Sequence, residues 1–293
     1  MGGCLLRCSM LRGIVSRRAW AGALLWSLGT SAAQAEPDRV AKQGQISVVT
    51  YNVAGLPEGL SNVTPTRNLP VIGGLLNKFD VALVQEDFAY PELLRQNLRL
   101  PYKSAPFVRG QQLHFGDGLS LFSKLPLAEV TRAAWVTCHG IIDSYQDCLT
   151  PKGFAHSRVE LAPGVLVDVY DAHLDAGPGA GDRKARAQQL DQLVKTVEER
   201  SGGRALLLGG DFNLTMAELP LFKKRMAALG ITDACDELRC PQPWRIDRVL
   251  LRGNAAVALK AKSWRVAPGF RDESGRALSD HEPVVVTLGW ATK

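Results

Sequence analysis

Beyond residue 35 the sequence has no apolar run that approaches the roughly 20 residues needed to cross a bilayer. It has no low-complexity tract, internal repeat or Pro/Gly/Ser-rich linker, which excludes repeat arrays and strings of small domains. There is no Cys-x-x-Cys spacing, so a zinc site built on the cysteines with His139 is the weaker competing reading. A G-x-S-x-G elbow, a Walker loop and an H-E-x-x-H helix are also missing, and with them the nucleophilic-serine, P-loop and zincin chemistries those motifs carry. His114, His139 and His156 stand in no motif and read as surface or structural residues.

What is present begins with an unusual start. Arg7, Arg12, Arg17 and Arg18 precede the apolar run Ala19 to Leu28, which gives way to small residues and to Ala33-Gln34-Ala35, an A-x-A cleavage pattern. This predicts an export signal over residues 1–35, removed after Ala35, and a mature chain that is periplasmic or secreted. Arg17-Arg18 is followed by Ala19-Trp20, which fits a twin-arginine signal poorly, so the export route stays open. The signal holds four arginines and no acid, so the formal charge falls from +6 to +2 on its removal, and the pI near 9.1 is weak evidence for nucleic-acid binding. Residues 36–293 fit one domain with one large core, expected to be monomeric. Of the six cysteines, Cys4 and Cys8 leave with the signal. The remaining Cys138, Cys148, Cys235 and Cys240 suit two disulfides in an oxidising compartment, and the close pairs Cys138/Cys148 and Cys235/Cys240 are the expected bridges.

Apolar β-rich runs recur at Ile46 to Thr50, Val81 to Gln85, Leu119 to Ser123, Phe154 to Leu161, Val165 to Tyr170, Ala205 to Leu208, Val249 to Leu251 and Val284 to Leu288. Helical periodicity is clearest over Arg183 to Arg200, where Ala187, Leu190, Leu193, Val194 and Val197 share a face. Asn68 to Phe79, Pro91 to Leu98 and Ala217 to Leu229 read as further helices. Helices alternate with strands, yet some strands follow one another directly, as across Pro163-Gly164, which predicts an α/β fold with mixed sheets. Polar residues cluster just past these runs, where α/β sheets bind ligands.

Glu86 ends an apolar strand and can hold a hard cation, with Asn52 offering a second oxygen; a surface carboxylate is the plainer reading. A sparse all-oxygen set suits Mg²⁺, with Mn²⁺ or another divalent cation as substitute. Gly209-Gly210-Asp211-Phe212-Asn213 places a carboxylate and an amide two residues apart, with glycines that let a ligand approach; the same pattern makes an Asx turn. Ser279-Asp280-His281 sets an imidazole beside a carboxylate ahead of a strand, which suits a general base near neutral pH. Such a base needs an orienting carboxylate, and Asp247, inside Ile246-Asp247-Arg248-Val249-Leu250, is the candidate unless it is salt-bridged to Arg245 or Arg248. His173 is a second imidazole placed to bind a phosphoryl oxygen or to assist a leaving group.

Taken in order, Thr50-Tyr51-Asn52, Gln85-Glu86, Gly118 to Ser123, His173-Leu174, Gly210-Asp211-Phe212-Asn213, Ile246-Asp247 and Ser279-Asp280-His281 resemble the endonuclease/exonuclease/phosphatase superfamily. The resemblance implies a four-layer α/β/β/α sandwich of the DNase I-like kind with one site at the strand ends. It implies Asn52, Glu86 and Asp280 near Mg²⁺, Asp211 and Asn213 aligning nucleophile and phosphate, Asp247 orienting His281, and His173 on the phosphoryl group. Asp147-Cys148-Leu149-Thr150-Pro151-Lys152-Gly153-Phe154, Tyr51-Asn52-Val53 and His173-Leu174-Asp175-Ala176 resemble secreted bacterial sphingomyelinases. That implies a phosphodiester with a lipid head group and transient contact with a membrane surface, for which Trp264 and Phe270 about Pro268-Gly269 are the only aromatic candidates. The competing readings are a secreted deoxyribonuclease using the Arg183 to Arg186 region, Arg245 and Arg248 on phosphates, an inositol polyphosphate phosphatase, and a non-catalytic binding module on the same fold.

Overall fold

The computed structural model describes residues 42–107, 116–140, 144–150 and 152–293. The expected export signal, His114 and Pro151 lie outside the described residues. Along the chain come β1 (Gln43–Asn52), α1 (Pro65–Leu76), β2 (Val81–Gln85), α2 (Pro91–Gln96), β3 (Tyr102–Lys103), β4 (Ser120–Ser123) and β5 (Thr131–Ala134). A 3₁₀ turn (Ser144–Leu149) leads to β6 (Gly153–Ala162), β7 (Val165–His173), α3 (Ala180–Ser201), β8 (Leu206–Asp211), α4 (Leu219–Ala228) and β9 (Thr232–Asp233). The chain ends with α5 (Ala234–Leu238), β10 (Asp247–Arg252), β11 (Val257–Val266) and β12 (Val284–Thr292).

The strands form two six-stranded sheets, ordered β11-β12-β1-β2-β4-β3 and β5-β6-β7-β8-β10-β9. Each is mixed as expected: β1–β2 and β7–β8 are parallel, and the flanking pairs are antiparallel. The sheets face each other through a dry layer that includes Val48, Leu83 and Leu121 from one and Val167, Val169, Leu207 and Val249 from the other. Alternate residues of the same strands point outward: Val49, Tyr51 and Val84 meet Leu69, Ile72 and Leu76 of α1, and Tyr170, Leu206 and Leu208 meet Leu190, Leu193 and Phe222 of α3 and α4. Burial on both faces explains why the central strands read as continuous apolar runs rather than as alternations. Gly209 belongs to this packing, because a Cβ there would stand 2.4 Å from Leu83 Cδ1; the glycine lets the sheets approach.

The expected helices form with small shifts at their ends, and Arg183 to Arg200 extends to Ala180–Ser201. Strands β3, β5, β9 and β11 carry no apolar run and lie at or next to sheet edges, where one face and one row of backbone groups meet solvent. Cys138 is bonded to Cys148 and Cys235 to Cys240, with Cα separations of 5.2 and 4.8 Å, inside the range a disulfide spans.

Candidate active site

Three expected site residues are neighbours by strand register alone. His173, Asp211 and Asp247 sit opposite one another on β7, β8 and β10. In the facing sheet Asn52, the last residue of β1, lies opposite Gln85, and Glu86 follows at once. The strands thus run further than their apolar cores, because the polar residues at their ends still pair their backbone across the ladder. Asn52 then joins the sheets: its Nδ2 donates to Glu86 Oε1 at 2.9 Å and to Asp211 Oδ2 at 3.1 Å, while its Oδ1 accepts from the Ala54 N–H at 3.0 Å. Asn52 therefore orders two carboxylates through its amide nitrogen, while its Oδ1, holding the Ala54 N–H, keeps one further lone pair.

His281 closes the group. Its Nδ1 lies 3.1 Å from both oxygens of Asp247, and its Nε2 is 3.7 Å from Asp211 Oδ2. The His281 N–H donates to Ser279 Oγ, which itself donates to the Asn52 carbonyl at 2.7 Å, fixing the Ser279–His281 turn to the end of β1. Asp247 is free for this role because Arg248 pairs with Asp233 at 2.7 Å and Arg245 with Glu282 at 3.0 Å. Asp211 makes an Asx turn, its Oδ1 accepting from the Asn213 N–H at 3.0 Å, and both residues line the cleft. Glu86 and Asn213 have φ of 61° and 51°, a left-handed conformation that costs about 1–3 kcal/mol in a non-glycine residue and persists only where neighbours impose it. Asp280 is exposed at the rim, with its Oδ1 3.3 Å from Ser279 Oγ.

The electrostatics are those of carboxylates withdrawn from water. Burial raises Glu86 above the ordinary carboxylate range, and burial lifts Asp211 to about 6 against the opposing pull of His281. Burial would lower His281, but Asp247 and then Asp211 outweigh it and raise the imidazole to about 10. His173 is wholly buried, which pushes its pKa well below the ordinary value and keeps it neutral; among the described residues neither ring nitrogen has a hydrogen-bond partner, although Nε2 lies 3.6 Å from Asp211 and 3.9 Å from Glu86. Donors that are buried without partners call for a ligand or a water. Acidic oxygens converging in a dry site, with raised pKa values, suit a hard divalent cation. Asp211, Asp247 and His281 also bring possible ligand atoms within 4.8 Å of one another, a closeness that the Asp247–His281 hydrogen bonds already explain.

The site opens into a cleft of about 540 Å³ lined by Glu86, Lys152, Asp211, Asn213, Asp280 and His281, with Leu56, Leu60, Phe88 and Leu149 around them. Lys152 was not singled out from sequence. It is 7 % exposed, pairs with Asp147 Oδ1 at 2.5 Å, and its charge acts on Glu86. The signal for it was a lysine set immediately before an apolar strand, which must find a carboxylate to be buried there. Of the arginines proposed for phosphates, Arg186 is wholly buried in a two-armed pair with Glu218 and Arg245 and Arg248 are paired as above, whereas Arg183 is exposed and donates to the Pro178 carbonyl. Phe270 is also not a membrane tip; it is buried against Tyr51 and Phe79, and Trp264 packs partly buried on the core.

A model of the endonuclease/exonuclease/phosphatase family matches residues 49–281. The chain belongs to that family. This family member is 32% identical over 265 residues to a protein of Mycobacterium tuberculosis named sphingomyelinase, an alignment covering 83% of this chain and 52% of that one. The chain thus spans about half the length of the curated relatives it matches first. Among solved structures, a variant of beta toxin from Staphylococcus aureus with bound magnesium ions superposes with a TM-score of 0.62 at 18% identity, covering 83% of this chain and 99% of that one. D. rerio TDP2 complexed with a single-strand DNA product superposes equally, with a TM-score of 0.62 at 18% identity, over 83% of this chain and 98% of its own. At such identities the likeness is one of fold, the DNase I-like sandwich, and leaves the substrate open.

Proposed function

We propose that this chain is an exported, divalent-metal-dependent phosphodiesterase that cleaves a lipid phosphodiester of the sphingomyelin type into ceramide and phosphocholine. The Asp247–His281 pair beside Glu86 and Asp211 in one cleft carries this reading. Similarity to the mycobacterial sphingomyelinase supports the lipid substrate, and so does the character of the cleft. Among the described residues that line it, the cations are His281 and Lys152, and Lys152 is already paired with Asp147. A polyanion such as DNA or an inositol polyphosphate would meet a carboxylate-rich wall, whereas a single phosphodiester with a cationic head group suits it. Leu60 and Leu149, 70 % and 57 % exposed, form an apolar rim that a lipid surface would cover and a nucleic acid would not.

In the mechanism, the pull of Asp211 and Asp280 that raises the metal-free imidazole would be offset by a cation held by the neighbouring carboxylates. Neutral His281 then takes, on Nε2, the proton of a water in line with the ester bond; as the phosphorus–oxygen bond to ceramide breaks, that proton passes to the leaving oxygen through solvent. Asp247 keeps the proton on Nδ1 and stabilises the imidazolium as it forms. Asp211 and Asn213 align the water and the phosphoryl group, and His173 supplies a neutral N–H to a phosphoryl oxygen. Glu86 and Asp280 would hold Mg²⁺, with Asn52 tethering Glu86, and the ion's chemistry is to offset negative charge growing on phosphorus-bound oxygens. Sphingomyelin vesicles, plasmid DNA and inositol phosphates offered side by side with Mg²⁺ test the reading: phosphocholine release that EDTA abolishes is expected, and cleavage of DNA alone would overturn the lipid substrate.

A further inference from the structure

The Glu86 backbone turns through the left-handed region directly after β2; Asn52 holds its carboxylate from within the site, and further contacts on the turn come from outside it. The next residue, Asp87, is 7 % exposed and aims away from the cleft. Its Oδ2 accepts from Arg95 Nη1 at 2.7 Å and from Ser120 Oγ at 2.7 Å, and Arg95 Nη2 donates to the same Ser120 Oγ at 2.9 Å. Arg95 is anchored in turn by the Pro91 carbonyl at 2.9 Å and lies over the Phe122 ring, 5.0 Å from its centroid. The backbone is held on both sides: Asp87 N–H donates to the Gly118 carbonyl at 2.9 Å, and Glu86 C=O accepts from Gly55 N–H at 3.0 Å. A Cβ on Gly55 would stand 2.3 Å from that Glu86 oxygen, so only glycine permits the contact.

We infer that Asp87, gripped by Arg95 and Ser120, is a positioning residue that sets the divalent-cation affinity of Glu86 without touching the ion or the substrate. This rests on the metal role proposed for Glu86. Three elements converge on one carboxylate adjacent to a strained residue: α2 through Arg95, β4 through Ser120 and the strand's own end. Both donors fall on Oδ2, and among the described residues Oδ1 is buried without a hydrogen-bond partner, a desolvation that a carboxylate at a loop tip in solvent does not bear. Its geometric effect is to fix the direction in which the preceding residue projects. Partners that orient a ligand in this way typically change metal affinity by about 10–100-fold when removed.

The test is isothermal titration of Mn²⁺ into the full chain, beside thermal melting and the dependence of turnover on metal concentration. Asp87→Asn should weaken Mn²⁺ binding by about 10-fold or more and raise the half-saturating metal concentration in step, with turnover at saturating metal changed by no more than about threefold. Asp87→Asn with Arg95→Gln should bind no worse than Asp87→Asn alone, because both break one network. Should Asp87→Asn fail to fold, Ser120→Ala decides, with an expected weakening of about fivefold for one lost hydrogen bond. Mn²⁺ affinity within twofold of the parent in the folded variant, with only the melting temperature lowered, would overturn the positioning role and leave Glu86 as ligand intact. A parent chain that binds no Mn²⁺, or a Glu86→Gln variant that binds as well as the parent, would overturn the metal reading itself.

Discussion

Asp247→Asn removes one charge and little volume at the hydrogen bonds that hold His281, and its effect can be worked from the geometry. Both Asp247 oxygens lie 3.1 Å from Nδ1, and together with Asp211 they lift the imidazole from its ordinary value near 6.5 to about 10. At about 1.4 kcal/mol per tenfold change, that rise is on the order of 5 kcal/mol in favour of imidazolium, shared between the two carboxylates. The amide keeps one acceptor for Nδ1–H but not the charge, and it can present its NH₂ instead, which selects the wrong tautomer. Loss of an orienting carboxylate in such a pair has cost about 10⁴-fold in turnover, and general-base terms run from about 10² to 10⁴. Turnover should therefore fall by about 10²–10⁴-fold, measured as phosphocholine release at saturating Mg²⁺. His281 should also titrate lower in the variant by NMR. The raised folded-state pKa contributes stability that is fully present below the unfolded value near 6.5 and is lost as pH rises toward about 10. Metal-free Asp247→Asn should consequently melt below the parent at pH 6 and converge with it by about pH 10. A His281 midpoint near 6.5 in the metal-free parent, or a variant with near-parent turnover, would refute this reasoning.

Other expectations are more local. Asp168 is buried, which by itself would raise its pKa, but the nearby His156 imidazole, 3.9 Å away, and hydrogen bonds from Ser201 and Arg158 hold it below the usual carboxylate range. Asp168→Asn should thus cost about 1–3 kcal/mol in urea unfolding at pH 7, a difference that shrinks as pH falls below about 4. Leu83→Ala, at a fully buried position between the sheets, should cost about 2–5 kcal/mol in the same assay with the site residues untouched. Leu60→Asp with Leu149→Asp should lower turnover of sphingomyelin vesicles by about 10-fold or more relative to a water-soluble phosphodiester, a ratio obtained from paired rate measurements. An unchanged ratio would remove the apolar rim from the account.

The central strands were legible because burial on both faces writes them as apolar runs, and α3 because its Leu190, Leu193 and Val197 stripe is unambiguous. Edge strands such as β5 and β11 were not, since half-exposed backbone places little demand on side-chain type. The constellation of His173, Asp211 and Asp247 could be listed from sequence, but their adjacency depends on register across β7, β8 and β10, which no local pattern encodes. The residue type of Asn52 allows it to offer an oxygen, but its two carboxylate partners, Glu86 and Asp211, lie 34 and 159 residues away in sequence and are seen only in the fold. Of the arginines offered to phosphates, Arg186, Arg248 and Arg245 looked free only because their partners, Glu218, Asp233 and Glu282, lie 32, 15 and 37 residues away in sequence. Lys152 falls in the Asp147 to Phe154 segment, but a lysine ahead of an apolar strand has no assignable role until its burial beside Asp147 is known.

The central claim is His281-dependent, metal-dependent hydrolysis of a lipid phosphodiester. Its most direct test is phosphocholine release from sphingomyelin vesicles by the purified chain and by His281→Ala, with Mg²⁺ or with EDTA. The account predicts release by the parent with Mg²⁺ alone and a loss of about 10²–10⁴-fold in the folded variant. Release that survives EDTA, or a His281→Ala variant as active as the parent, would contradict it.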